Sequence, residues 1–473
     1  MISLLARIAH SQSPFLEPML DSIRNQETTD WELVLVTEPG QVDTLSGRVA
    51  GDARIRVITR PAGESLAQTC NTLFSELRRW IGFIGEYDQL IPDALGTMAA
   101  SIYDHPAARV HYSDEVSISR WGKLSRHRTK MPLDPVRLMS HDYLRDLVLL
   151  DRDWLSTHGG FDPLASDGPR HDAYLRLLGD IGSIGFQHVP KVLYQRYRYR
   201  LDSDDDLLPG YDLDGVRRHL ERQGVEGKVY QKVHSLDIRL VPETRHAVTA
   251  LALLDPCLPI GMNVLDSLSR EPVYPGLAVR ALCQQDTPEN TRQRYRDVCA
   301  GRGYGFRRAE GNWPEILNQE LSTIDTPMTL FIGAMALPPM WLHTLQAWSI
   351  LPHVAAVTGQ IITPIRQRDT GLPWDARGSL NQLAVPHQVS MASGQALLVD
   401  TRVLQSMGGL ESAYPTKWGE DLVMRLASMG KTCICTPQVH FWGDVPSPTE
   451  SELKQFREAW SDWQDPYGIY QLP

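Results

Sequence analysis

The chain has 473 residues, 42% hydrophobic and 22% charged, with a formal net charge of −10. That length allows two or three domains, and the composition is that of a globular protein without low-complexity tracts. A pI of about 5.8 argues against a nucleic-acid binder, which would show a basic face.

The opening MISLLARIAH lacks a basic n-region and a small-residue cleavage site, so it reads as a first strand and not a leader. No apolar run reaches the ~18 residues needed for a transmembrane segment. The expected location is therefore cytoplasmic, with peripheral membrane contact left open. The cysteines, at 70, 257, 283, 299, 433 and 435, show neither disulfide nor zinc spacing.

In chain order, residues 2–9 read as a strand, Phe15–Asn25 as a helix with Phe15, Met19 and Ile23 on one face, and Trp31–Val36 as a second strand ending at Glu38. A third strand covers 54–58, and Ser65 caps a helix to Leu77. The apolar run at Trp80–Ile84 predicts a central parallel strand. Glu86 and Asp88 follow at its carboxyl end, where open α/β sheets bind ligands. Two carboxylates one residue apart could hold a cation against a diphosphate, or could form a polar turn.

Next come a short strand at 110–113 before Asp114-Glu115, a basic loop with Arg126, Arg128 and Lys130, and a strand from Leu147. A tight turn at Gly159-Gly160, a helix at 172–178 and a strand at 185–194 close the unit. Alternating strands and helices predict a doubly wound sheet.

The pattern then recurs. Asp21-Ser22 returns as Asp266-Ser267, Asn71 as Asn318, Phe83-Ile84-Gly85 as Phe331-Ile332-Gly333, Gly159-Gly160 as Gly408-Gly409, Asp172 and Arg176 as Asp421 and Arg425, and Pro190 as Pro437. A nearly constant offset of 245–249 indicates a tandem duplication. The expected units are 1–205 and 245–445, with a helix-bearing linker at 206–244 and a helical tail at 446–473.

Both units resemble family 2 glycosyltransferases of the GT-A fold. The resemblance rests on Leu20-Asp21-Ser22-Ile23, Asn71, the 80–95 stretch, Gly159-Gly160-Phe161-Asp162, Ser393-Gly394 and Trp418-Gly419-Glu420-Asp421. It implies two tandem nucleotide-diphospho-sugar transferase (Rossmann-like) α/β domains with mainly parallel sheets. It also implies an inverting hexosyl transfer from a UDP-, dTDP- or GDP-linked sugar to a glycan, lipid-linked or protein acceptor in bacterial-type surface glycan synthesis. Glu38 takes the base-binding position. Asn71, Glu86, Asp88 and Asp114 take donor positions, and Glu86 and Asp88 would hold Mg or Mn.

The departures are specific. The family's LDxDD turn reads Ile84-Gly85-Glu86-Tyr87-Asp88 here, and the second unit has no carboxylate at 333–336. Aligned on Asp172, the catalytic-base position is Arg170, which stays protonated. Glu420, Asp421 and Asp172 are the candidate bases, with helix capping as the competing role of the two aspartates. Metal-independent transfer is a further option. The alternative function is a catalytically inactive glycosyltransferase-like binding or scaffold protein.

Overall fold

The computed structural model describes residues 1–473 except 62, 120–122, 164–168, 199–211, 233–234, 271–273, 275, 334, 364–367, 370–384 and 468–473. The acidic run at 202–210 lies outside the described residues. So do the side chains of Arg126 and Arg128.

The chain forms two compact units, Met1–Gly224 with Val229–Asp237, and Val225–Lys228 with Ile238–Pro473. The first contains strands β1 (Ile2–Arg7), β2 (Trp31–Thr37), β3 (Ile55–Thr59), β4 (Trp80–Phe83), β5 (Gln89–Leu90), β6 (Val110–Ser119), β7 (Leu124–Arg128), β8 (Val148–Asp151) and β9 (Phe186–Arg198). Their order is β3-β2-β1-β4-β8-β6-β9-β5, with β7 on β6. The pairs β1–β2, β2–β3, β1–β4 and β6–β9 are parallel. After a hairpin of β10 (Gly227–Gln231) and β11 (Leu236–Leu240), the second unit contains β12 (Val248–Leu254), β13 (Leu277–Gln284), β14 (Gly305–Ala309), β15 (Met328–Ile332), β16 (Met335–Ala336), β17 (Val354–Ile362), β18 (Arg368–Asp369), β19 (His387–Val389), β20 (Ala396–Asp400) and β21 (Thr432–Gly443). Its order is β14-β13-β12-β15-β20-β17-β21-β16, with β18 on β17 and β19 on β21. Strand for strand this is the order of the first sheet, so the expected fold class, two tandem α/β Rossmann-like units, is the observed one.

Each sheet is covered by helices whose apolar faces were legible in the spacing. Leu16–Arg24 buries Leu16, Met19, Leu20 and Ile23. Ser65 caps Leu66–Leu73 through a reciprocal capping box with Gln68. Two boundaries differ from expectation. Strand β6 continues through Ser119, because β7 pairs with it as a hairpin partner, so Asp114 and Glu115 lie inside the sheet. The 124–128 segment is therefore a strand and not a loop.

Helix Leu213–Arg222 is tied to the first unit through Arg218, which bonds Asp162 and Asp172. Helix Glu450–Ala459 completes the second. Its Phe456 is fully buried edge-on to Tyr414 at 5.2 Å, and Glu452 accepts from the amides of Thr416 and Lys417 at 2.7 and 2.9 Å. Among the described residues no helix is long and apolar enough to cross a membrane.

Candidate functional site

The acidic turn sits where expected, beyond the carboxyl end of β4, but both carboxylates are turned to donors of their own chain. Glu86 Oε2 accepts from the amides of Ala9 and His10 at 2.7 and 3.3 Å, pinning the end of β1 to the end of β4. Asp88 Oδ2 accepts from the Tyr194 hydroxyl at 2.7 Å and Oδ1 from the Tyr197 amide at 2.9 Å. Burial, aided by Asp146, pushes the Asp88 carboxyl up to about 7. A Cβ at Gly85 would lie 2.4 Å from Asp88 Oδ2, which is why an aspartate of the family pattern has no room there. Tyr87 packs edge-on against Phe15 at 5.6 Å. Three of the four carboxylate oxygens of this pair thus already accept hydrogen bonds from the chain. Among the described residues no group of three or more His, Cys, Asp or Glu could hold a metal.

The other expected donor residues scatter. Glu38 is exposed and pairs with Arg60 at 3.2 Å. Asp114 Oδ1 accepts from the Lys130 amide and faces His188 Nε2, both at 2.8 Å. Asn71 donates to the Phe161 carbonyl and accepts from the Phe161 amide, both at 2.8 Å. Asn318 does the same to Leu410 at 2.8 Å in each direction. In both units this clamp fixes a turn whose second glycine, Gly160 at φ +72° or Gly409 at φ +82°, lies against the asparagine. The arginine four residues beyond the helix aspartate bonds the same turn: Arg176 reaches the Gly160 carbonyl and Arg425 the Gly409 carbonyl. The motif that betrays the duplication is thus a scaffold motif. Asn71→Ala and Asn318→Ala should each cost about 2 kcal/mol, since each leaves a backbone amide and carbonyl unpaired. Urea midpoints read this directly. Loss of donor binding at unchanged stability would instead put Asn71 at a ligand.

The candidate bases are ion-paired. Asp172 meets Arg176 at 2.8 Å and Arg218 at 3.2 Å. Burial alone would raise its carboxyl, but the two arginines hold it below the ordinary carboxylate value. His171 beside it donates or accepts at both nitrogens, to the Leu138 carbonyl at 2.6 Å and from the Asp212 amide at 2.9 Å. Asp421 meets Arg425 at 2.8 Å and accepts from Trp460 Nε1 at 3.2 Å, yet burial still raises its carboxyl. Glu420 pairs with Lys417 at 2.8 Å.

What the sequence reading missed is a cluster of cations around Asp146. By the β4–β8 register, Asp146 falls just past the end of β4, beside Gly85. It lies 3.6 Å from Arg170, in the first turn of helix Pro169–Ile181, and 3.4 Å from Arg196 on β9. The Arg170 guanidinium lies over the Phe83 ring at 5.6 Å and donates to the Arg145 carbonyl at 2.8 Å. Arg145 is held at φ +46°, a strained conformation for a non-glycine residue. Burial would raise Asp146, but Arg196, Arg170, Arg145 and Lys130 keep it below its ordinary value. Lys130 is itself paired with Glu115 at 3.2 Å. Arg170 and Arg196 therefore pair with Asp146, and the charge of Arg145 also acts on it. The signal was in the sequence: Arg170 at the base position and the arginine-rich run after Tyr194.

Comparison with known proteins gives no matching family model. The O-antigen biosynthesis protein RfbC of Myxococcus xanthus is 25% identical over 474 residues, 93% of this chain and 37% of that protein. The uncharacterized protein y4gI of Sinorhizobium fredii is 28% identical over 199 residues, 41% of this chain and 22% of that one. The chain thus spans well under half the length of these curated relatives. Among solved structures, the mannosyltransferase PcManGT of Pyrobaculum calidifontis, in complex with GDP-Man and Mn2+, is similar over 47% of this chain and 67% of that one, at 17% identity and a TM-score of 0.37.

Proposed function

We propose that the chain takes part in building a bacterial-type surface glycan as a glycosyltransferase, and that its first unit binds the diphosphate of a UDP-, dTDP- or GDP-linked sugar through Arg145, Arg170 and Arg196. The observation that carries this is the meeting of the Arg170 and Arg196 guanidinium groups, from two separate elements, at Asp146 just beyond β4, while Glu86 and Asp88 are bonded to the chain itself. The kinship with an O-antigen biosynthesis protein over 93% of the chain supports the setting. In transfer, an acceptor hydroxyl gives its proton to a carboxylate, Asp172 being the candidate in the first unit, and attacks the anomeric carbon; the bond to the diphosphate breaks, and the guanidinium groups stabilise the departing charge. The acceptor is a glycan, lipid-linked sugar or protein, met in the cytoplasm or at the inner membrane face.

A second reading is favoured by a specific observation: Asp172, Glu420 and Asp421 are each paired with a cation of the chain. On that reading the protein binds a nucleotide-sugar or glycan without transferring it.

The experiment is thermal shift with UDP, dTDP and GDP, with Mn2+ or EDTA, on the wild type, Arg170→Ala and Glu86→Gln. Stabilisation by one nucleotide that persists in EDTA, and an affinity lowered at least about tenfold in Arg170→Ala, is the expected result. A shift that needs Mn2+ and disappears in Glu86→Gln would overturn the arginine site. No shift with any nucleotide would overturn the donor site and leave glycan binding without transfer.

A further inference from the structure

The second unit has a cleft of about 480 Å3 at the carboxyl ends of β12 and β13. That is within the roughly 300–1,000 Å3 of small-ligand sites. Its walls carry two tryptophans, Trp313 at the start of helix Trp313–Leu321 and Trp442 near the end of β21. Trp442 is 57% exposed, an unusual state for the largest apolar side chain. The cleft is also lined by Asn263, Gln284 and Gln395 and by Asp255 and Asp444. Among the described residues no lysine, arginine or histidine lines the cleft.

This set of groups selects for one ligand chemistry. Among the described residues, diphosphate would meet two acidic residues and no cationic side chain, and like charges repel across a partly desolvated cleft. At the place corresponding to the acidic turn of the first unit, a Cβ on Gly333 would lie 1.6 Å from Gln395 Oε1, so an amide fills the space. Sugar rings offer the complementary surface: an apolar face of C–H groups for an indole ring, and hydroxyls that both donate and accept. Side-chain amides and carboxylates match such hydroxyls, the carboxylates as acceptors only. The exposed indole gives stacking area at little cost in conformational entropy.

We infer that this cleft binds a neutral oligosaccharide, with Trp442 and Trp313 as stacking faces and Gln284, Gln395, Asp255 and Asp444 as hydroxyl partners. The site holds the glycan for the protein and is separate from the arginine cluster of the first unit. Its occupancy does not depend on transfer taking place.

The test uses the full chain on an array of neutral bacterial-type oligosaccharides, followed by titration of tryptophan fluorescence with the best binder. Binding should protect Trp442 from acrylamide quenching. Trp442→Ala, at an exposed position that leaves the core intact, should weaken affinity at least about tenfold. Gln284→Ala should weaken it as well, and Arg170→Ala should leave it unchanged, which separates this site from the proposed donor site. Binding to no neutral glycan on the array would overturn the inference. So would UDP binding that needs Mn2+ and is lost in Asp255→Asn.

Discussion

Gly419→Ala should cost the second unit about 3 kcal/mol or more, a large fraction of a typical domain's stability. A Cβ at Gly419 would lie 2.0 Å from the amide nitrogen of Gly394 and 2.6 Å from its Cα. Those are backbone atoms, so no side-chain rotation relieves the clash. Gly394 is equally confined, since its own Cβ would sit 2.2 Å from the Trp418 ring. Trp418 is buried and packs edge-on to Phe331 at 5.1 Å. The two stretches, Ser393-Gly394 and Trp418-Gly419, must therefore separate for alanine to fit, opening the core at the head of helix Trp418–Ser428. Urea unfolding followed by tryptophan fluorescence measures the effect. A variant within 1 kcal/mol of the wild type would mean that the helix start shifts freely, and the packing argument would fail.

The second large effect depends on pH. The Asp88 carboxyl is pushed up to about 7 by burial, whereas in an unfolded chain it titrates near 3.9. Between these values the folded protein keeps a proton that the unfolded chain has released. The contribution of this group is thus greatest when both forms are protonated, and it falls as pH rises from about 4 to about 7. Three units correspond to roughly 4 kcal/mol. Asp88→Asn cannot ionise, and its carbonyl oxygen can still accept from the Tyr197 amide. Its stability relative to the wild type should rise through that window and then level off, with a gain in melting temperature on the order of 10 °C at pH 8 over that at pH 4. A flat difference between pH 4 and pH 8 would show that Asp88 is ionised throughout.

Much of the fold was legible because its signals are local. The apolar runs at 31–36 and 80–84 gave strands, the Ser65 cap gave a helix start, and the repeat gave two units of one topology. The site was less legible because its roles are set by partners distant in sequence. Asn71 looked like a donor-site residue, but it bonds Phe161, 90 positions away. Asp114 looked to lie just past the end of a short strand, because β7, which pairs with the rest of β6 from Glu115 on, is polar and reads as a loop. Glu86 and Asp88 have the right spacing for a cation, and only the placement of Ala9, Tyr194 and Tyr197 reveals that their oxygens already accept. Composition near one motif cannot report a donor that arrives from the far end of the unit.

The helix at Glu450–Ala459 also sets an order of events during synthesis. The first unit has all its parts once residue 237 has been made. The second lacks the side chain that fills its core at Tyr414 until Phe456 is added, and lacks the indole on Asp421 until Trp460. At about 5–20 residues per second, roughly 10–45 s separate those points on the ribosome. Only from Gly443, where β21 ends, to Trp460 is the second sheet present with an unsealed flank, roughly 1–3 s of that interval, so chaperone binding to the nascent chain should concentrate there and end as the last helix emerges.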